Sequence, residues 1–491
     1  MPTTLHSTVE TFLVLLLIVF VVAAIVQRVR LPYTVALVVV GFLGLQPASL
    51  NITLTPDLIL LVFLPTLLFE GAYNVPAGRL WRNALPITLL AAPGVLIGTL
   101  VTGAIIHLAL GLSWGIALLF GALISSTDPI AVVSLFRQLG APRRLALLVE
   151  GESLFNDGAA ITLFQIILVA IVSGAFGLAG GIGRFLLTVA GALVVGVVVG
   201  YVGSRLLRAI DSAQIQITAT VVAAYGAYLL AETLTFSGAI AVVVAALFFG
   251  NYGSAHGLSP RSVRALSATW EFLGFVANSL VFLLIGIALD PLQVLSNWWV
   301  ITIAFLATLG GRAVVVFLLM PLLRGAQKIP PRYLPVLLWG GLRGAVSLAL
   351  ALSIPLSLAN GQAFPQRHTL QVIAFGVVGV SLLLQGLTMS PLIGWLGLRA
   401  RPTEQTTEDA VGLLRARVAA VEGALLTLER EHERGEIGAL QFGRLASAYR
   451  AEHTQLRQQL APLEAQEADE EQPASSDARY DDATMSDNRN T

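Results

Sequence analysis

The chain has 491 residues and no cysteine. Disulfide staples, thiolate metal ligation and thiol chemistry are excluded at once. Charge is scarce too: Asp, Glu, Lys and Arg make up 12% of the residues, about half the share in a soluble protein. No Gly-x-x-x-x-Gly-Lys-Ser/Thr sequence occurs, so this chain drives nothing by a P-loop ATPase, and no His-Glu-x-x-His occurs. Gly151-Glu152-Ser153 superficially resembles the setting of a serine nucleophile. No histidine or lysine is placed to activate it at depth, which argues against an intramembrane protease. The first apolar run, residues 11–26, lacks a basic flank and a small-residue cleavage site, so it predicts a span and not a cleaved signal.

What the chain does have is apolar length. It is 56% hydrophobic, with a mean hydropathy of +0.80. Long apolar segments can satisfy their backbone in lipid only as helices or closed barrels, and these segments have helix length. An all-α polytopic membrane protein follows. Thirteen spans are predicted, at 9–27, 31–46, 56–75, 84–110, 114–137, 145–173, 184–207, 213–231, 236–250, 264–289, 297–323, 332–354 and 368–398. The basic residues alternate with this count. Arg28, Arg30, Arg79, Arg82, Arg137, Arg143, Arg144, Arg205, Arg208, Arg261, Arg264, Arg324, Lys328, Arg332 and Arg399 fall in loops of one side. Only Arg184 and Arg367 fall on the other. The positive-inside rule then puts the N-terminus outside and the C-terminal tail in the cytoplasm.

The formal net charge of zero conceals a division. Residues 401–491 hold 10 Arg against 18 Asp and Glu, or −8, and residues 1–400 hold 19 Lys and Arg against 11 acids, or +8. The boundary near residue 400 is a change of solvent. Residues 1–400 are expected to form the transmembrane domain. Residues 401–463 are expected to be a soluble helical tail, with apolar positions Val411, Leu414, Val418, Val421 and Leu425 at helical spacing. Residues 464–491, rich in Glu, Asp, Ser and Asn, predict a disordered acidic end.

The informative residues are polar groups placed at bilayer depth, where a lone carboxylate costs about 3 kcal/mol even on the lenient insertion scale. Span five contains Ser125-Ser126-Thr127-Asp128-Pro129. Pro129 breaks the helical ladder, freeing carbonyls near Thr127 that suit a hard cation. Span six contains Ser153, Asn156 and Asp157 at i, i+3 and i+4, which predicts one polar face. Glu152 points elsewhere and needs a partner, for which Arg312 and Arg343, the two arginines inside spans, are the candidates. Glu70 lies near the end of span three. Gly340-Gly341-Leu342-Arg343-Gly344 predicts a second interrupted helix, and Gly344-Ala345-Val346-Ser347-Leu348 echoes Ala131-Val132-Val133-Ser134-Leu135 seven spans earlier, as an inverted repeat would.

Gly151-Glu152-Ser153-Leu154-Phe155-Asn156-Asp157-Gly158, Ser126-Thr127-Asp128-Pro129, Phe69-Glu70-Gly71 and Gly341-Leu342-Arg343-Gly344-Ala345, in that set, resemble the NhaP-type sodium/proton antiporters. These are monovalent cation:proton antiporters related to the animal sodium/proton exchangers. The resemblance covers residues 10–398. It implies thirteen spans, a dimerisation domain and a core domain with crossed unwound helices, in a homodimer in the plasma membrane serving pH and sodium homeostasis. It implies that Asp157 binds cation and proton in turn, supported by Asn156 and Asp128. Thr127 and Ser153 match oxygen-contributing positions, and Glu70 an acidic position near the ion, so Asp157, Ser153, Thr127 and Glu70 are the expected Na⁺ ligands. Glu152 matches a glutamate bridged to Arg312, and Arg343 a further structural charge. Asn156-Asp157 without an intramembrane lysine implies electroneutral 1:1 exchange. No cofactor beyond the transported ions, no enzymatic activity and no nucleic-acid partner is expected. A K⁺/H⁺ antiporter of the same architecture and a cation channel are the alternatives.

Overall fold

A computed structural model of the chain describes residues 5–26, 28, 32–44, 55–174, 178–210, 212–253, 259–323, 328–399, 402–433 and 437–471. Among these residues the structure is helical, with a single isolated β-bridge between Ser357 and Ala363. The chain forms two compact units, residues 1–399 and 400–491.

In the first unit, seven helices are long and apolar enough to cross a membrane: Ala84–Leu110, Arg143–Ser173, Gly180–Leu207, Ala213–Thr233, Arg261–Ala288, Trp298–Leu322 and Arg367–Trp395. The other six predicted spans fall on shorter or interrupted helices. Five lie at Glu10–Val26, Tyr33–Leu43, Leu58–Tyr73, Trp114–Leu123 and Gly238–Gly253. The sixth divides into Leu334–Trp339 and Ala345–Leu352. The short break between the eighth and ninth predicted spans is a tight turn with Thr235 at φ 61°, closed by Ser237 capping the next helix.

The helices form two bundles that meet along Arg143–Ser173. In one, Tyr33–Gly44 lies on Pro260–Ala288, which also packs on Leu64–Tyr73 and Ala213–Thr233, with Leu178–Leu207 and Gly238–Leu247 beside them. Gly41 and Gly286 bring the first pair together: a Cβ on Gly286 would stand 2.3 Å from the Val38 carbonyl oxygen. In the other, Pro93–Leu110 is clasped between Trp114–Leu123 and Trp298–Leu319. A Cβ on Gly121 would come within 2.5 Å of the Thr99 carbonyl oxygen. Small residues allow this approach in lipid, where packing and not apolar burial joins helices.

The second unit is a helical hairpin of Pro402–Glu433 and Ala439–Glu471. Val411, Val418 and Val421 pack against Leu456, Leu460 and neighbours. The second helix continues to Glu471, so residues 464–471 are not the disordered segment that their composition suggests. Glu, Gln and Ala are good helix formers, and composition alone misjudges a segment that extends an existing helix. Residues 472–491 lie outside the described residues. Across the hairpin Glu422 accepts hydrogen bonds from His453 at 2.8 Å and Arg457 at 3.2 Å, which hold its carboxyl below the usual glutamate range. A depressed carboxyl stabilises above its unfolded value and loses that contribution as the pH falls through the folded value. The absence of native cysteine makes labels at Leu426→Cys and Leu440→Cys, both exposed, specific. Energy transfer between them is expected to hold from pH 8 to 5 and to weaken below about pH 4.

Candidate cation site

Two helices break where they pass each other. Trp114–Leu123 and Ile130–Leu139 are separated by the unwound segment 124–129, and Leu334–Trp339 and Ala345–Leu352 by 340–344. Pro129, which lacks an N–H and would crowd the Ser125 carbonyl, keeps the chain from continuing as helix through the break and stands as the N-cap of the second half. The second break is built from Gly340, Gly341 and Gly344. A Cβ on Gly344 would sit 2.6 Å from Asp128 Cβ, so a bare backbone is needed where the segments cross. The Asp128 N–H donates to the Leu342 carbonyl at 2.8 Å and joins the two breaks.

Unwinding leaves carbonyls and amides without helical partners, and side chains take them up. Arg343 Nη1 donates to the carbonyls of Ser125 at 2.9 Å and Ser126 at 3.1 Å. A cation at a helix C-terminus also suits the dipole there. At the start of the following half-helix, Asp128 Oδ1 accepts the Ile130 N–H at 2.9 Å. Asn156 grips Thr127 twice: its Nδ2 donates to Thr127 Oγ1 at 2.7 Å, and its Oδ1 accepts the Thr127 N–H at 3.3 Å. Ser153 Oγ donates to the Thr127 carbonyl.

Asp157 stands beside this scaffold, 8% exposed, and accepts a hydrogen bond from Ser126 Oγ at 2.5 Å. A cavity of about 310 Å³ opens onto it. Glu70, Ser126, Thr127, Asp128, Ser134, Glu150, Ser153 and Asp157 contribute its polar wall, and among the described residues no lysine or arginine lines it. Glu150, Ser153 and Asp157 are at i, i+3 and i+7 on Arg143–Ser173, so one face of that helix is oxygen-rich toward the cavity. Glu70 sits over Gly274, where a Cβ would lie 2.8 Å from Glu70 Cγ.

The same helix turns a second polar face away. Glu152 forms a two-pronged pair with Arg312, through Nη1 to Oε1 and through Nη2 to Oε2 at 2.8 Å. Arg312 also donates from Nε and Nη2 to the Leu337 carbonyl, at 3.1 and 2.9 Å. Both charged groups are buried, at 8% and 2% exposed. They line a separate, water-sized polar pocket of about 20 Å³ with Ser125, Asn156, Thr308 and Arg343.

This geometry revises the sequence reading at three points. Ser153, Asn156 and Asp157 share the helix face toward residues 126–127, but Asn156 lines the smaller pocket while Ser153 and Asp157 line the cavity. Successive helical residues are about 100° apart, so 156 and 157 flank 153 on opposite sides and open onto different pockets. Arg343 makes no carboxylate pair among the described residues, because the orphan carbonyls of a broken helix satisfy it instead. Third, the side chain nearest the Asp157 carboxylate is Ser126, which residue type alone did not separate from its neighbours. Glu150, seven residues before Asp157, lines the same cavity, although it was not singled out as a site residue.

A multi-pass helical protein whose two broken helices cross beside a buried carboxylate has the construction of a secondary transporter. Residues 15–395 match the family model described as sodium/hydrogen exchanger, transmembrane. The chain belongs to that family. It is 40% identical over 433 residues to the Na⁺/H⁺ antiporter ApNhaP of Aphanothece halophytica, spanning 86% of this chain and 81% of that one. It is 39% identical over 407 residues to the low-affinity Na⁺/H⁺ antiporter NhaS1 of Synechocystis sp., spanning 79% and 75%. Its fold matches the sodium proton antiporter MjNhaP1 of Methanocaldococcus jannaschii with a TM-score of 0.65, at 20% identity, covering 79% of this chain and 98% of that one.

Proposed function

We propose that the protein exchanges Na⁺ for H⁺ across the plasma membrane as a secondary antiporter, by competition of the two ions for Asp157. The observation that carries this reading is the Asp157 carboxylate, buried at the crossing of two helix breaks and facing a cavity with oxygen-bearing walls and, among the described residues, no basic lining. A single carboxylate that holds either ion and never both couples the two fluxes. Either ion neutralises it, so the loaded site can move through a low-dielectric barrier, whereas the empty, charged site moves reluctantly. The names of the relatives, Na⁺/H⁺ antiporters at 39–40% identity over most of their length, support Na⁺ as the cargo.

In this reading Asp157 and Ser153 face the ion, with Glu70 and Asp128 as further carboxylates on the cavity wall. Asn156 acts by positioning Thr127. Glu152–Arg312 and Arg343 act as scaffold that keeps the breaks open. The bundle holding the breaks is the moving core, and the other bundle is the dimerisation domain of a homodimer. The architecture we infer has thirteen spans with the N-terminus outside and the tail hairpin in the cytoplasm. The side of the arginine-rich loops is then the side onto which the cavity opens, since Glu70 and Glu150 lie in the span halves nearest those loops.

Exchange is expected to be electroneutral at one cation per proton. In proteoliposomes carrying an internal pH dye, Na⁺ added outside an acid-loaded vesicle should alkalinise the interior, at a rate unchanged by a valinomycin-clamped potential. A potential-dependent rate overturns the stoichiometry. K⁺ supporting exchange where Na⁺ does not establishes the K⁺/H⁺ alternative, and collapse of the pH gradient with no cation added establishes a channel.

A further inference from the structure

The ion shell expected around Asp157 rests on oxygens of Thr127 and Ser153, yet in the structure these are engaged with each other and with Asn156. The Thr127 carbonyl accepts from Ser153, and Thr127 Oγ1 accepts from Asn156 Nδ2 at 2.7 Å. The oxygen in direct contact with the carboxylate is Ser126 Oγ, 2.5 Å from Asp157 Oδ1. Ser126 is 2% exposed and lines the 310 Å³ cavity. A cation that binds Asp157 through Oδ1 meets this hydroxyl and must displace it or use it.

A hydroxyl carries one donor and two acceptor lone pairs, and rotation about its C–O bond exchanges them. In the structure it donates to the carboxylate. With a cation on the carboxylate, the same oxygen can turn its lone pairs to the ion without moving, and hard cations take oxygen ligands. The backbone that carries it is fixed beside Asp157, because the Ser126 carbonyl is held by Arg343 at 3.1 Å and the next residue by Asn156. We propose that Ser126 is a further cation-binding residue, whose hydroxyl serves Asp157 as a hydrogen-bond donor when the site is empty and the cation as a ligand when it is filled. The inference rests on the assignment of Asp157 as the ion site.

The backbone contacts that hold residue 126 do not involve its hydroxyl, so Ser126→Ala is expected to fold. In proteoliposomes its KM for Na⁺ should rise roughly tenfold with kcat within about twofold of wild type, the size expected for loss of one contact to a charged group. Ser126→Thr, which restores a hydroxyl, should return KM to within about twofold. Ser126→Cys keeps the size but offers a soft sulfur, and should behave as the alanine variant does. The cysteine variant carries the test if the alanine variant fails to melt cooperatively. A second readout is the upward shift of the melting temperature by Na⁺ in detergent, which should shrink in both variants and recover in Ser126→Thr. A KM that stays at the wild-type value, or falls because the hydroxyl had competed with the ion, overturns the proposal. Asp157→Asn is measured beside them. If it retains exchange, the assignment of Asp157 has failed; if it is inactive while Ser126→Ala keeps its KM, only the role of Ser126 has failed.

Discussion

Asp157→Asn is expected to abolish Na⁺-dependent proton flux in proteoliposomes, by at least a hundredfold, while the protein elutes and melts like wild type. Asparagine keeps the size of the side chain and can still accept from Ser126, so the crossing of the breaks should survive. What it loses is the negative charge for which, under the proposed competition, both ions contend. Without it, the neutral site has nothing to exchange, and the large effect follows from removing the coupling itself and not from weakening one contact. Initial rates of dye dequenching across a series of Na⁺ concentrations separate the two: a weakened site recovers at high Na⁺, and an uncoupled one does not. The same substitution at Asp128 should be milder, because Asp128 Oδ1 is engaged in capping Ile130 at 2.9 Å.

Arg312→Ala is expected to be the most destabilising of the charge substitutions. It removes the partner of Glu152 at a site where both are buried, and it orphans the Leu337 carbonyl that Arg312 holds through two nitrogens. Breaking a buried pair from one side costs about 3–5 kcal/mol, because the remaining charge has no water to return to. The melting temperature in detergent should fall by several degrees, and the alanine variant should be stabilised when Glu152→Gln is added. A native melting temperature for Arg312→Ala, or no recovery in the double variant, would show that the pair bears no structural burden.

Much of the fold was legible because lipid imposes so few solutions. Long apolar runs demand helices, and arginine alternation constrains how they thread. The family was legible because four short polar motifs stand in order inside otherwise apolar sequence. The helix breaks could be anticipated at Pro129 and at the glycines around Arg343. The pairing of the breaks could not, since the Asp128–Leu342 bond joins residues far apart in the chain.

At the site, residue types were visible but their directions were not. Spacing placed Asn156 with Ser153 and Asp157 on one face, and the fold divides that face between two pockets. Charge alone suggested a carboxylate for Arg343, and broken-helix carbonyls answered instead. Ser126 stood in the same motif as Thr127 and Asp128, but only coordinates show which of several small polar side chains meets the carboxylate. In the tail, amphipathic spacing located the hairpin, while acidic composition hid the last turns of its second helix.

Exchange at a single carboxylate makes a stoichiometric demand that can be measured without a membrane. Purified protein in detergent and weak buffer is titrated with NaCl, and released protons are counted with a pH dye against the amount of Na⁺ bound. Competition at Asp157 predicts close to one proton released per cation bound, with none from Asp157→Asn. Cation binding without proton release, or undiminished release from Asp157→Asn, would contradict it.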